Sequence, residues 1–124
     1  MIGYVTLGTN NLPRAAAFYD ALADVIGASR IFATETSIVW AASEGAAIDV
    51  TLPFDGQPAS VGNGVMVALR CRDNAQVDAV YRRAIELGGT CEGKPGPRPG
   101  IEGFYAGYFR DPDGNKLNAF FMPS

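Results

Sequence analysis

The sequence predicts an α+β fold made of two βαβββ modules in one chain, and three observations predict it. The first is a repeat: Val5 and Val67, Leu7 and Leu69, Tyr19 and Tyr81, and Gly27 and Gly89 stand at one offset of 62, half of the 124 residues. The second is that each half begins with an apolar strand-like run and passes into a helical stripe. The third is Asp111-Pro-Asp-Gly-Asn115, a turn motif between two segments that can pair as a hairpin.

Taken in order, Ile2 to Thr9 is apolar and β-branched enough for a strand. Asn10-Asn11 then offers a helix cap with Pro13 in the first turn. Ala15, Phe18, Tyr19, Leu22, Val25 and Ile26 recur at helical spacing, and Gly27 can close the helix in the left-handed conformation. Short strands fit Arg30 to Thr34, Ser37 to Ala42 and Ala46 to Leu52, with Ser43-Glu44-Gly45 as a turn. These complete module 1, residues 1–53. Residues 54–64, rich in Gly, Pro, Asn and Ser, read as a connecting loop.

Module 2, residues 65–124, restarts the pattern. Val65 to Cys71 is a strand, Asp73 with Gln76 resembles a capping box, and Val77, Val80, Tyr81, Ala84 and Leu87 form the second apolar stripe before Gly88-Gly89. A strand from Thr90 is expected to give way to a loop over Gly93 to Gly100. Phe104 to Arg110 and Lys116 to Met122 then make the hairpin.

Composition excludes several functions. The net charge is −3 with no basic run, so the electrostatic footprint of a nucleic-acid binder is missing. The longest strongly apolar stretch, Thr36 to Ser43, is too short to span a bilayer, and no signal-peptide pattern opens the chain. A cytoplasmic protein is expected, with no membrane partner. Cys71 and Cys91 lack metal or redox spacing and are expected as free, largely buried thiols. The sequence contains no histidine, which removes histidine-activated nucleophiles, the zinc helix with two histidines, and the facial triad of two histidines and a carboxylate. Gly62-Asn-Gly64 lacks the surroundings of a phosphate-binding loop.

Strand alternation sorts the faces. Centring the hairpin on Asp113 pairs Phe109 with Leu117, Gly107 with Ala119 and Tyr105 with Phe121, an apolar face that should cover the helices. Tyr108 then lies across from Asn118, Arg110 from Lys116 and Ala106 from Phe120 on the other side. Val5, Leu7, Ile48, Val50, Leu52, Val67 and Leu69 should point to the helices. Tyr4, Thr6, Asp49, Thr51, Met66 and Ala68 should point away.

With Asn-Leu-Pro-Arg-Ala-x-x-Phe-Tyr after the first strand, the repeat, and Tyr-Phe-Arg-Asp-Pro-Asp-Gly-Asn-Lys at 108–116, the chain resembles the vicinal oxygen chelate superfamily over essentially its whole length. That superfamily includes glyoxalase I, bleomycin-resistance proteins and extradiol dioxygenases. The resemblance implies one glyoxalase/bleomycin-resistance-like domain over 1–124, in which mixed sheets curl into a cup with helices outside. It also implies pairing as a homodimer, and a divalent metal held from the first and last strand of each module. Those places fall on Tyr4, Asp49, Met66 and Asn118, where metal-binding relatives carry His or Gln, a carboxylate or His, His, and Glu. A phenol, a thioether, an amide and one carboxylate make a poor set for a hard divalent ion, so no metal and no other cofactor are expected.

The ligand-binding candidates are therefore Tyr4, Asp49, Met66, Tyr108, Asn118 and Phe120. Asp49 is the candidate base and Tyr108 the candidate hydroxyl for any catalysis. Against these stand ordinary readings: Asp49 solvated or paired with a cation such as Arg70, and Tyr108–Asn118 a simple cross-strand pair. Trp40 is a further candidate wall of the cup, and Arg98 and Arg110 could meet an anionic ligand. The reading that fits best is a metal-free protein that binds a small amphipathic molecule in the cup. The alternative is a superfamily lyase, isomerase or dioxygenase with Asp49 and Tyr108 in its active site, and a third is a module that only pairs with other proteins.

Overall fold

The computed structural model describes residues 1–124. In chain order the elements are β1 (Tyr4–Gly8), α1 (Leu12–Ile26), β2 (Ser29–Ala33), β3 (Ser37–Ala41), β4 (Ala47–Thr51), β5 (Val67–Arg70), α2 (Asn74–Glu86), β6 (Thr90–Pro97), β7 (Tyr105–Arg110) and β8 (Lys116–Phe121). The first sheet has the order β1-β4-β3-β2 and the second β5-β8-β7-β6. In each, the strand before the helix pairs parallel with the last strand and the remaining pairs are antiparallel. This is the expected pair of βαβββ modules. No helix is long and apolar enough to cross a membrane.

Local chemistry explains the helix ends. Asn11 caps α1, its side chain accepting from Arg14 N at 3.0 Å, and Gly27 closes the helix at φ 88°. Sixty-two residues on, Asp73 caps α2 by accepting from Gln76 N at 2.8 Å. Gln76 does not complete a reciprocal box: its Oε1 accepts from Arg72 N, and its Nε2 donates to Val25 O in α1, tying the modules together.

Every expected pair of the last hairpin forms, from Arg110↔Lys116 to Tyr105↔Phe121. The apolar faces of both sheets meet both helices in one cluster of 18 buried residues, in which Phe18 of α1 lies 6.3 Å from Phe109 of β7. No strand of one sheet contacts a strand of the other. The modules join through α1 and α2 and through the β7–β8 turn.

That turn does more than reverse the chain. Asp111 accepts from Asp113 N, Asn115 N and Asn115 Nδ2, each at 2.9 Å, and from the buried Tyr19 hydroxyl at 2.6 Å. Asp113 accepts from Thr9 Oγ1 at 2.5 Å, Asn10 N at 2.9 Å and Arg14 Nη2 at 2.8 Å, while Asn115 Nδ2 donates to Gly8 O at 2.9 Å. The turn of module 2 thus grips the β1–α1 corner of module 1. Burial, first, and the neighbouring Asp111 carboxylate push the Tyr19 phenol well above its ordinary range.

Two sequence expectations about the strands need correction. The strand from Thr90 does not stop at Gly93 but runs to Pro97, with irregular register between Cys91 and Gly96. As the outermost strand it can hold Pro95 and Pro97 without losing hydrogen bonds from an inner ladder. Gly107 lets Pro95 lie close over β7, since a Cβ there would stand 2.9 Å from its ring. Trp40 does not stand on the helix-free face of its sheet, although it lines the cavity between the modules. It is buried on the helix side against Tyr19, and its Nε1 donates to Asp20 at 2.8 Å, because its partner Ile48 faces that way. The guanidinium of Arg30, bonded to both Asp20 oxygens, is the main reason that carboxyl titrates below its usual value.

One of the two free thiols also differs from expectation. Cys71 is buried, but Cys91 is exposed on the edge strand β6. Burial pushes the Cys71 thiol up to about 11. One fast and one slow thiol are therefore expected with a colorimetric disulfide reagent at neutral pH, Cys91→Ser removing the fast phase. Two equally fast phases would contradict the packing around Cys71.

Candidate functional site

The faces turned away from the helices carry the sequence candidates, and the structure divides them between two sheets. On the first sheet Thr6 and Asp49 are register partners on β1 and β4, with Tyr4 two residues before Thr6. Asp49 is held by its own sheet: Ser37 donates a short hydrogen bond to Oδ1, and Thr6 Oγ1 donates to Oδ2 at 3.4 Å. Arg70 does not pair with it, since that guanidinium lies over the Phe120 ring at 5.3 Å. Tyr4 is 66% exposed.

On the second sheet, Ala68 of β5 and Tyr108 of β7 flank Asn118 of β8, and Arg70 flanks Phe120. Met66 precedes β5 and is exposed. The Tyr108 ring has the Arg98 guanidinium at 5.0 Å and the Lys116 ammonium at 5.8 Å. Arg98 is anchored by backbone carbonyls: Nε donates to Ala106 O at 3.2 Å, and Nη2 donates to Ala106 O and Lys94 O. Arg110, by contrast, bonds Glu92 at 2.6 Å, which pulls the Glu92 carboxyl below its ordinary value. Phe104 packs on Phe120, with centroids 5.9 Å apart.

Asn118 is the unusual member of this face. It is 2% exposed, yet its Oδ1 is buried without a hydrogen-bond partner. Native proteins rarely leave such a group unpaired, because the desolvation cost of about 1–3 kcal/mol is then uncompensated. The chain itself supplies no donor to this acceptor.

Beside this face, a cavity of about 900 Å³ lies between the modules. Leu22 and Ile26 of α1, Trp40, Ile48 and Leu69 form apolar walls, and Met66, Ala68, Arg70 and Phe120 reach it from the second sheet. Tyr4, Asp49, Tyr108 and Asn118 do not line it. No hydrogen bond joins the two candidate groups, so the structure does not bring Asp49 to Tyr108 as a catalytic pair. As ligand-facing residues Arg70 and Lys116 were missed in the sequence, and so was a cavity walled by α1 between the modules. Alternation from Met66 and Ala68 through Arg70, and from Asn118 back to Lys116, is the signal that finds the two cations.

A divalent metal is not well served here. Tyr4, Asp49, Met66 and Asn118 offer a phenol, one carboxylate already bonded to two hydroxyls, a thioether and a neutral amide. Nowhere do three or more His, Cys, Asp or Glu side chains converge. Hard divalent cations need several anionic oxygens or imidazoles, and these residues do not fit one.

Comparison with known proteins places the chain among relatives. A family model described as the Glyoxalase/Bleomycin resistance protein/Dioxygenase superfamily matches residues 1–119. A crystal structure of a glyoxalase/bleomycin resistance protein from Albidiferax ferrireducens T118 is similar at 35% identity and TM-score 0.91, over 99% of each chain. A glyoxalase-related enzyme from Fulvimarina pelagi superposes at TM-score 0.78 and 24% identity, over 99% of this chain and 88% of that one. The fosfomycin resistance protein FosX from Mesorhizobium loti superposes at TM-score 0.71 and 17% identity, over 99% and 92%. The last two likenesses speak to the fold alone. No curated protein matches the sequence.

Proposed function

The chain belongs to the glyoxalase/bleomycin resistance protein/dioxygenase superfamily, and from that premise we propose that it is a metal-free member binding a small amphipathic molecule on the helix-free faces of its sheets. The observation that carries this reading is Asn118: at the position where the superfamily resemblance implies a metal-binding carboxylate stands a neutral amide, buried and with its oxygen unpaired. An amide there orients a polar ligand group instead of gripping a cation. Phe120, Met66 and Tyr108 supply adaptable apolar surface beside it, and Phe120 and Met66 also reach the neighbouring inter-module cavity. Tyr4 and Asp49 belong to the same reading as the first sheet's contribution.

A second copy of the chain completes the cup in this proposal. The exposure of Ile2, Tyr4, Ile31 and Phe32 on and beside β1 and β2 supports it, because a monomer that exposes several large apolar side chains on one sheet gains by covering them. Light scattering at micromolar concentration is expected to give twice the chain mass.

Two measurements test the binding reading. Elemental analysis of protein purified without chelator is expected to find no stoichiometric divalent ion; one tightly held ion per chain overturns the metal-free reading. Thermal shifts across small aromatic and amphipathic compounds are expected to yield ligands that raise Tm, since a ligand at a hundred times its Kd adds about 2.7 kcal/mol. Asn118→Leu should erase that shift while leaving the unliganded protein as stable or up to about 1–3 kcal/mol more stable, because it removes a buried unpaired acceptor. A destabilised variant that binds as before would remove Asn118 from the site.

A further inference from the structure

We infer that the second sheet's face selects an organic anion bearing a hydroxyl next to its charged group; this rests on the binding reading above and specifies its ligand. Arg70 and Lys116 stand at opposite ends of a short row. Lys116, Asn118 and Phe120 alternate along β8, with Arg70 across from Phe120 and Tyr108 across from Asn118. The Arg98 guanidinium lies over Tyr108 and adds a third positive charge. None of these three cations takes part in a salt bridge, although the chain as a whole carries −3. The nearby carboxylate, Glu92, is already matched by Arg110.

Cations that rest on aromatic rings and carbonyls, with no carboxylate bound, leave a positive potential over the face they share. An anion lying above Asn118 is attracted from both ends of the row. The independent requirement comes from Asn118 itself, whose buried Oδ1 needs a donor that a bare carboxylate lacks. A hydroxyl beside the charge meets it. Phe120 and Tyr108 then accept a flat apolar body, so a hydroxyaryl or hydroxyalkyl carboxylate matches the face, and an inorganic anion or a neutral aromatic does not.

Calorimetric titration with salicylate, benzoate and neutral salicylamide separates these demands. Salicylate is expected to bind at least about tenfold more tightly than salicylamide, and benzoate, without the hydroxyl, to fall between them. Lys116→Gln and Arg70→Gln should each weaken salicylate about three- to tenfold without changing salicylamide, and raising salt from about 0.05 to 0.5 M should do the same. Circular dichroism checks that each variant is folded. Equal affinity for salicylate and salicylamide, or variants that weaken both alike, overturns anion selection while the binding reading stands. Failure of all three probes while other compounds raise Tm also overturns it, and failure of every compound removes the binding reading as well.

Discussion

Asp113→Ala is expected to destabilise the protein by about 2–4 kcal/mol, more than any other change in an exposed-looking turn. The side chain is 2% exposed and its two oxygens accept from Thr9, Asn10 and Arg14, about a hundred residues earlier in the chain. Removing it leaves a hydroxyl, a backbone N–H and a guanidinium facing one another across the module junction without an acceptor. Breaking a buried charge pair from one side costs about 3–5 kcal/mol; Arg14 is half-exposed and recovers part of this from water. At roughly 3–5 °C per kcal/mol for a chain of this length, Tm should fall by about 6–20 °C. Arg14→Ala is the control: Thr9 and Asn10 still satisfy Asp113, and loss of one exposed partner should cost under about 1 kcal/mol. If Asp113→Ala costs no more than Arg14→Ala, the turn is only a turn.

That prediction marks how far the sequence could be read. The turn was legible as a turn from Asp-Pro and Gly114, and the hairpin register followed from it correctly at all six pairs. Nothing local revealed that Asp111 and Asp113 would reach Tyr19 and Thr9, because their partners come from the other half of the chain. Caps, helical stripes and the assignment of Val50, Leu117 and Ala119 to the helix side were legible because they depend on spacing alone. Trp40 was misplaced because its pairing with Ile48 depends on register across β3 and β4, which no strong turn signal fixes. At the site, alternation found the face of Asn118 and Tyr108, but their separation from Tyr4 and Asp49 is a matter of how two sheets sit, and periodicity does not encode it.

The repeat also explains where the cavity lies. In module 2 the β7–β8 turn fills the corner at the end of β1 and the start of α1. The equivalent corner at Cys71, Arg72 and Gln76 faces the carboxylate-poor Ser43-Glu44-Gly45 turn, and those residues line the cavity instead of closing it. The two corners are thus filled differently, and the open one leaves space between the modules without cutting into the shared core.

That core should make the two modules one unfolding unit. Phe18 and Phe109 are both 0% exposed and lie 6.3 Å apart, one from each half of the chain. Replacing either by alanine removes a fully buried ring that the surrounding helices and strands cannot collapse to fill, and each is expected to cost about 3–5 kcal/mol. Because the rings touch across the module boundary, the double variant should cost less than the two singles together, by about 0.5–1.5 kcal/mol. Both singles should keep one denaturant transition with coincident fluorescence and circular dichroism, since no module retains a separate core on which to survive. A biphasic transition in Phe18→Ala, with module 2 outlasting module 1, would mean that the halves are independent domains held only at the turn, and then the cavity between them would be a gap of variable width.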